Sequence, residues 1–558
     1  MKPRADALRT IINEVFDVCV IGGGATGAGC ALDAQLRGLK TVLIEASDFA
    51  SGASSASTKM VHGGVRYLEQ AVRRLDLAEY KVVKRALRER LRMLRNAPFL
   101  TRTREFITPC YSWRDVAYYE VGLKFYDWIA GSAGLAPSRF LSREETLRRI
   151  PALNPAELVG GVAYTDGQFD DARYNIALME TFAQAGGEPL NYARVAGFSR
   201  DAGGKIVAAE IEDRAFGQRF IIRAQAFVNA TGAFADSLRQ IATPGVLPRM
   251  RPSRGVHIVL PIEILSSEAE VSGSVESEPD ALLIPKTEDG RVLFAIPWLG
   301  RLLVGTTDDP VAGPEPATIS RGEIEYLLRH LNRYLATRVT PDQIVSAFAG
   351  VRPLVSSGKS RRAATKELAR DHVVEVDETS GLVSIMGGKW TTYRAMAEDA
   401  IDAVERRLSR THVACRTANH PFAGSDGFTD DLWRDLAAEF QVPESCARHL
   451  TGKFGGRAAQ VLALAKENPA LAETLADGIA AIKAEVIFCA RYEMAMSIED
   501  VLARRLGIEF YGWRDALAAA PAVAELLAAE LRWADEQKCR ALDAYVSRIN
   551  SLLRATGR

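Results

Sequence analysis

Between Asp17 and Ile21 the chain reads Asp-Val-Cys-Val-Ile, a short β-branched apolar run that stops at Gly22-Gly-Gly24-Ala-Thr-Gly27. Such a run, bounded by glycines, predicts a buried strand. A helical stretch follows it, then a second apolar run, Thr41-Val-Leu-Ile, closing on Glu45. Further along, residues 160–260 alternate short apolar runs with glycine turns, among them Arg219–Arg223 and Ala226–Gly232. Ala281–Pro285, Val292–Ile296 and Leu302–Thr306 continue the pattern, which predicts strands of a mixed or antiparallel sheet inserted between pieces of the first domain. At Leu382–Met386 the strand, glycine, helix pattern returns, with Gly387-Gly388 in the turn. Residues 407–430 are polar and turn-rich, a linker, and from about 430 to 558 alanine and leucine recur at helical spacing with almost no strand signal. The predicted fold class is α/β with a Rossmann-like first domain, an inserted mixed or antiparallel β-sheet domain and a C-terminal all-α domain.

The first glycines carry the most chemistry. Their spacing is G-x-G-x-x-G, preceded by a strand and followed by a helix. Gly22 permits the tight turn, Gly24 lets the backbone approach a pyrophosphate, and Gly27 allows close packing of helix on strand. Glu45 stands 18 residues past Gly27, where a carboxylate accepts the ribose hydroxyls of a bound dinucleotide. The fingerprint by itself leaves nicotinamide and flavin open. No second fingerprint behind a strand follows, which suits a flavoprotein whose electrons leave to something other than NAD(P).

Length and composition narrow the class. At 558 residues two or three domains are expected, and 47% apolar with 25% charged residues is ordinary globular composition. Seventy basic residues balance seventy acidic ones, so charge gives no reason to expect a nucleic-acid partner. Seven cysteines are scattered without a C-x-x-C pair, which suits a reducing compartment and neither a disulfide framework nor a metal site. No apolar window approaches the roughly 18–20 residues of a spanning helix, and no signal peptide is visible. The expectation is a soluble protein or one lying on a membrane surface.

One local imbalance points to the surface. From Arg66 to Arg104 twelve basic residues face four acidic ones, a net of +8. Val83, Leu87, Leu91 and Leu94 form one apolar stripe beside Lys84, Arg85, Arg88, Arg92 and Arg95, a basic amphipathic helix. Two readings follow: a solvated helix packed on the core, or a surface for anionic lipid. Next to it, residues 116–130 (VAYYEVGLKFYDWIA) hold five aromatics in fifteen positions, suited either to a headgroup boundary or to a buried packing helix.

Several blocks taken together resemble the FAD-dependent glycerol-3-phosphate dehydrogenases of the respiratory type. They are FASGASSASTKMVHGGVRYLE (49–69), YTDGQFDDAR (164–173), Asn229-Ala-Thr-Gly232, Pro252-Ser-Arg-Gly-Val-His257, Gly305-Thr-Thr-Asp308, Gly350-Val-Arg-Pro-Leu354 and GGKWTTYR (387–394). In the helical tail, SIEDVLARR (497–505) is similar as well, and Ala97-Pro-Phe-Leu and Thr108-Pro-Cys-Tyr lean toward the mitochondrial type. Two positions depart from the pattern: Ala233-Phe234 stands where Pro-Trp is common, and Trp390 follows Lys389 where a smaller residue is usual. The calcium-binding loop of the animal members has no counterpart here.

The resemblance implies FAD as cofactor, glycerol 3-phosphate as substrate and a quinone acceptor at an anionic membrane surface. It places the protein peripherally on the cytoplasmic face of an inner membrane, or in the cytoplasm, with a homodimer compatible. It divides the chain into an oxidoreductase region, 1–410, a linker, 411–430, and a helical domain, 431–558. FAD-binding segments would span about 15–100, 150–240 and 345–405. Around FAD it would set Gly22, Gly24, Gly27, Glu45, Ser57, Thr58, His62, Gly63, Val195, Ala230, Gly232, Gly388 and Thr391. On the substrate it would set Arg66, Tyr67, Arg352, Arg370 and Lys389, since a dianion calls for guanidinium forks. The Gly387-Gly388 turn would open a helix through Thr391 and Thr392, its positive end facing the reduced flavin.

Oxidising a secondary alcohol also needs a group to take the hydroxyl proton, and an imidazole suits that task. His257, on a strand after Arg254-Gly255, is the leading base. His62, beside Gly63-Gly64, shapes the flavin pocket or competes for the role. A third route has no single base: Arg352 and Lys389 stabilise the alkoxide while water takes the proton. An oxidase that passes electrons to oxygen, and a flavin-binding scaffold without catalysis, are the rival functions.

Overall fold

The computed structural model describes residues 1–64, 77–266, 279–285, 287–314, 318–356 and 372–556. At its centre Val15–Ile21 pairs in parallel with Arg219–Asn229 on one side and Thr41–Ile44 on the other. Glu188–Leu190 extends the sheet beyond Thr41–Ile44, and Val383–Gly387 then His372–Val376 extend it beyond Arg219–Asn229. Val18 to Val20 and Val42 to Ile44 are fully buried, as parallel strands covered on both faces must be. The cover on one face is the helix Ala25–Leu36, which packs against the helices Asp171–Gln184 and Tyr393–Arg407.

A second sheet stands beside the first. Its main path runs from Asp309–Pro310 through Ser253–Pro261, Arg301–Gly305, Leu293–Trp298, Ala281–Ile284, Thr101–Cys110 and Gly160–Phe169 to Met60–Val61. Ser346–Arg352 pairs antiparallel with Ser253–Pro261 on that strand's other edge.

Sheet membership differs from the sequence reading in two places. Arg219–Arg223 and Ala226–Gly232 were expected as separate strands of the inserted sheet, but Arg219–Asn229 is one strand at the heart of the first. Gly160–Phe169, read as part of the inserted sheet though inside a segment expected to bind FAD, does pair in the second sheet, and so does Ser346–Arg352, from another such segment. An apolar run specifies a strand, whereas its sheet is decided by partners far away in sequence.

The segment after Arg407 is irregular, as expected, yet it is not a loose tether. Thr417, Phe422 and Ala423 are buried, and Phe422 N–H donates to the Asn96 carbonyl at 2.8 Å. Beyond it the chain is helical through to Ala555, with one π-helical turn at Asp500–Arg505.

Candidate active site

The glycine turn opens the first helix. Gly22 has φ of +114°, and a Cβ on Gly27 would stand 1.8 Å from the Gly22 carbonyl oxygen, so neither position accepts a side chain. Gly24 is the N-cap of Ala25–Leu36 and caps without a side chain, an open helix start of the kind that suits an anion. The Ser54 hydroxyl shares this space and accepts from Ala25 N–H at 3.0 Å. Glu45 closes the second strand, its carboxylate accepting from Gly23 N–H at 2.6 Å and Ser47 N–H at 2.9 Å. Burial raises that carboxyl above its ordinary range, and the two N–H bonds oppose the rise.

Around this turn gather other residues expected at the cofactor. Ala230 N–H donates to the Ile21 carbonyl at 2.9 Å, and Gly232 follows with φ of +58°. Val195 is buried on the strand Ala193–Arg200, whose first N–H donates to the Glu45 carbonyl at 2.7 Å. The loop after Glu45 then runs to the second sheet. In it Ser57 N–H donates to Asp171 at 3.0 Å, and Thr58 Oγ1 lies 3.0 Å from His257 Nε2. Gly63 N–H donates to the Tyr126 hydroxyl at 2.8 Å. His62 N–H meets Thr391 Oγ1 at 3.4 Å. That contact corrects the expected helix start: Trp390–Thr392 is a 3-10 turn, the helix begins at Tyr393, and Thr391 ties the second glycine turn to the His62 loop. Gly388 has φ of +80° and Lys389 is the N-cap of the 3-10 turn. Trp390, one of the two departures, donates its indole N–H to the Ser54 carbonyl at 2.9 Å and packs edge-on to Phe169, Tyr174 and Tyr393.

His257 and Arg352 come from adjacent strands of the second sheet. His257 is buried, its ring stacked on Phe348 with centroids 4.9 Å apart and planes inclined by 19°. Burial, then the charges of Arg352 and Lys59, hold its pKa well below the ordinary imidazole range, so it is neutral. Nδ1 has no hydrogen-bond partner among the described residues. Arg352 pairs with Asp308 at 3.2 Å and donates to Thr306 Oγ1 at 2.9 Å and the Thr307 carbonyl at 3.0 Å. Phe348, Thr306 and Asp308 were not singled out as site residues, although Thr306 and Asp308 lie in a quoted block. Arg66, Tyr67 and Arg370 lie outside the described residues.

The basic helix packs inward. It spans Leu77–Asn96, and Val83 and Leu87 are fully buried against Tyr126 and Ile129, with Leu91 and Leu94 half-buried. Arg90 is buried in an ion pair with Asp166 at 2.8 Å, Arg85 pairs with Asp399 at 2.8 Å and Arg92 with Glu89 at 2.5 Å. Of the two readings left open for this helix, its apolar stripe takes the packing one. Exposed apolar surface is found instead on the next helix, Trp113–Ala130, where Trp113, Tyr118, Val121 and Trp128 point outward. Among the described residues no helix is long and apolar enough to cross a membrane.

The YTDGQFDDAR block proves to be a joint between domains. Asp170 pairs with Lys453 at 2.7 Å and Arg173 with Glu493 at 2.6 Å, both partners lying in the helical tail. Arg504 and Arg505 of the π-turn both reach Asp48, Arg504 at 2.7 Å, just after Glu45. Burial alone would raise the Asp48 carboxyl, but Arg505 and Arg504 outweigh it and hold the carboxyl below its ordinary range.

Comparison with known proteins agrees with this geometry. The profile of a family described as FAD dependent oxidoreductase matches residues 17–394, and that of the C-terminal domain of alpha-glycerophosphate oxidase matches residues 415–538. A mitochondrial glycerol-3-phosphate dehydrogenase of Arabidopsis thaliana is 41% identical over 93% of this chain and 84% of its own. The human mitochondrial glycerol-3-phosphate dehydrogenase is 39% identical over 95% of this chain and 72% of its own. The solved glycerol-3-phosphate dehydrogenase of Bacillus halodurans, complexed with FAD, superposes with a TM-score of 0.78 at 29% identity, covering 99% of this chain and 97% of that one. The L-alpha-glycerophosphate oxidase of Mycoplasma pneumoniae shares the fold over 73% of this chain and 98% of its own, with a TM-score of 0.54 at 18% identity. The chain is an FAD-dependent oxidoreductase, a member of the glycerol-3-phosphate dehydrogenase family within that class. FAD is its cofactor, and the glycine cradle, the helix N-terminus and the Glu45 carboxylate fit it.

Proposed function

We propose that the protein oxidises sn-glycerol 3-phosphate to dihydroxyacetone phosphate and passes the electrons to a membrane quinone. Bound FAD, held by the Gly22–Gly27 turn and Glu45, would supply the hydride acceptor for oxidation at C2 of the substrate. The observation that carries this reading is a neutral, buried His257 within the field of the Arg352 guanidinium, on neighbouring strands, with Thr58 of the cofactor loop at its Nε2. A neutral imidazole is the form that accepts the C2 hydroxyl proton, and a positive neighbour favours the substrate dianion. Arg352, with Lys389 and with Arg66, Tyr67 and Arg370 outside the described residues, would clamp the phosphate or steady the alkoxide. The apolar side of the dehydrogenase reading is the outward face of Trp113–Ala130, where tryptophans near both ends suit a headgroup boundary.

Anaerobic addition of glycerol 3-phosphate should bleach the flavin, and a quinone analogue should restore its colour. No bleaching overturns the substrate. The match of the tail to an oxidase domain favours a second reading, oxygen as acceptor. Reoxidation by oxygen with stoichiometric peroxide, and none by quinone, would establish that one instead.

A further inference from the structure

Lys59 is fully buried, yet it stands in a cofactor loop and has left-handed backbone, φ +60°. Both features are unfavourable for a lysine. A buried ammonium needs compensation, and a left-handed backbone is reached more readily by glycine or asparagine. The compensation is specific. Nζ pairs with Asp171 at 2.5 Å and donates to the Ser55 carbonyl at 2.7 Å. It also lies 4.6 Å from the ring centre of Phe510, 5.0 Å from Trp298 and 5.2 Å from Phe348. Three aromatic faces attract a cation through their quadrupoles.

The box joins three parts of the molecule. Phe510 belongs to the helix Ile508–Tyr511 of the C-terminal domain, and Trp298 and Phe348 to strands of the second sheet. Phe348 contacts Lys59 on the one hand and stacks on His257 on the other, while Phe510 meets Phe348 edge-on at 5.0 Å. Immediately before Lys59, Thr58 bonds His257 Nε2, and Lys59 N–H donates to Ser57 Oγ at 3.1 Å. The same loop is gripped near its start by the pairing of Asp48 with Arg504 and Arg505. The helical domain therefore holds the loop at both ends, and the residues between meet the cofactor fingerprint and the imidazole.

We propose that Lys59 is a positioning residue for the oxidation, through which the C-terminal domain fixes Ser57 and Thr58 against His257 while keeping a constant positive charge beside that ring. The inference rests on His257 as proton acceptor in the function proposed above. Among the described residues the charged groups acting on His257 are Lys59 and Arg352, and both oppose an imidazolium. Replacing Lys59 with a neutral side chain therefore raises the pKa of the base.

The test uses full-length, FAD-loaded protein and follows single-turnover bleaching by glycerol 3-phosphate, without oxygen, from about pH 5 to 9. Wild type comes first. Absence of bleaching defeats the underlying reading and this inference with it; the scan is carried below about pH 5 as far as FAD stays bound, because the wild-type acid limb should lie well below the ordinary imidazole range of about 6.5. Lys59→Met should move that limb upward by about one pH unit, slowing bleaching up to roughly tenfold on its acid side. Lys59→Arg, which keeps the charge, should leave the limb near its wild-type position. A purely structural lysine would instead lower flavin content, or the rate equally at every pH. Should Lys59→Met lose FAD, Lys59→Gln, which removes the charge but keeps a donor for Asp171, carries the same test. A limb unmoved in a loaded variant that is neutral at position 59 overturns the proposal.

Discussion

The guanidinium of Arg352 lies over the backbone of Gly255: a Cβ on Gly255 would stand 2.4 Å from Nη2 and 2.7 Å from Nη1 and Cζ. Gly255 sits opposite Gly350 in the antiparallel pair, two residues from His257 along the same strand. The missing side chain is what lets a long cation settle there, held further by Asp308 and Thr306. Gly255→Ala should therefore displace the fork without touching it chemically. We expect a raised KM for glycerol 3-phosphate with FAD content unchanged, and Arg352→Ala should cost roughly 2–4 kcal/mol in kcat/KM. Steady-state kinetics of both variants check this; wild-type values in either remove Arg352 from the substrate site.

His257→Asn removes the proposed base and leaves a side chain of similar reach. The rate of flavin bleaching should fall by about a hundredfold to ten-thousandfold. In wild type the depressed pKa of His257 keeps the ring neutral below its ordinary range of about 6.5, so activity should persist into mildly acidic solution. A variant as fast as wild type would favour the route in which water takes the proton.

Gly27→Ala puts a methyl group where the Gly22 carbonyl already lies. The first helix must then move off the glycine turn proposed to hold the pyrophosphate. The purified variant should be colourless, and absorbance in the flavin bands decides the matter: stoichiometric FAD would remove this turn from the cofactor site.

The buried joint between Arg173 and Glu493 predicts a pH-dependent domain contact. Burial opposes ionisation of Glu493, but Arg173, Arg457 and Arg505 hold its pKa at about 2, against an ordinary value of 4.5. A carboxyl depressed on folding contributes stability that is full above about 4.5 and is lost as pH falls toward 2, roughly 3 kcal/mol in all. Glu493→Gln should therefore lower the unfolding midpoint at neutral pH, and the gap from wild type should close through that window. Denaturant unfolding at several pH values measures it; a gap independent of pH would rule out the charge as its source.

Trp113→Ser with Trp128→Ser should weaken binding to anionic vesicles while bleaching by substrate survives, because neither ring is buried. Reversing the exposed Arg88 and Arg95 to Glu should add a salt-dependent loss of about 1 kcal/mol per charge near the surface. Sedimentation with vesicles distinguishes the two contributions. If wild type ignores vesicles at low salt, the outward face of Trp113–Ala130 has another role.

The glycine turn, its strand and helix, Glu45 and the helical tail were legible because each is written in neighbouring residues: spacing fixes a turn, and periodicity fixes an element. Arg352 and His257 were legible only through family blocks, since an arginine or histidine looks the same in sequence whatever it faces. The basic helix shows the limit. Its stripe and charges were read correctly as amphipathic, but Arg90 meets Asp166 and Arg85 meets Asp399, partners 76 and 314 residues away, so that part of its charge is paired within the molecule.

What the sequence determined by itself was a chain that folds around a dinucleotide fingerprint, because backbone conformation and hydrophobic period are local properties. Only the tertiary structure decided which strands share a sheet, that the helical tail grips the loop after Glu45, and that Lys59 is boxed by aromatic rings beside the imidazole. Asp48 and Arg505 are 457 residues apart, and no short-range rule pairs them. Their pairing follows from burial: once folding removes water from both charges, each must find its opposite, and the fold alone sets which one is within reach.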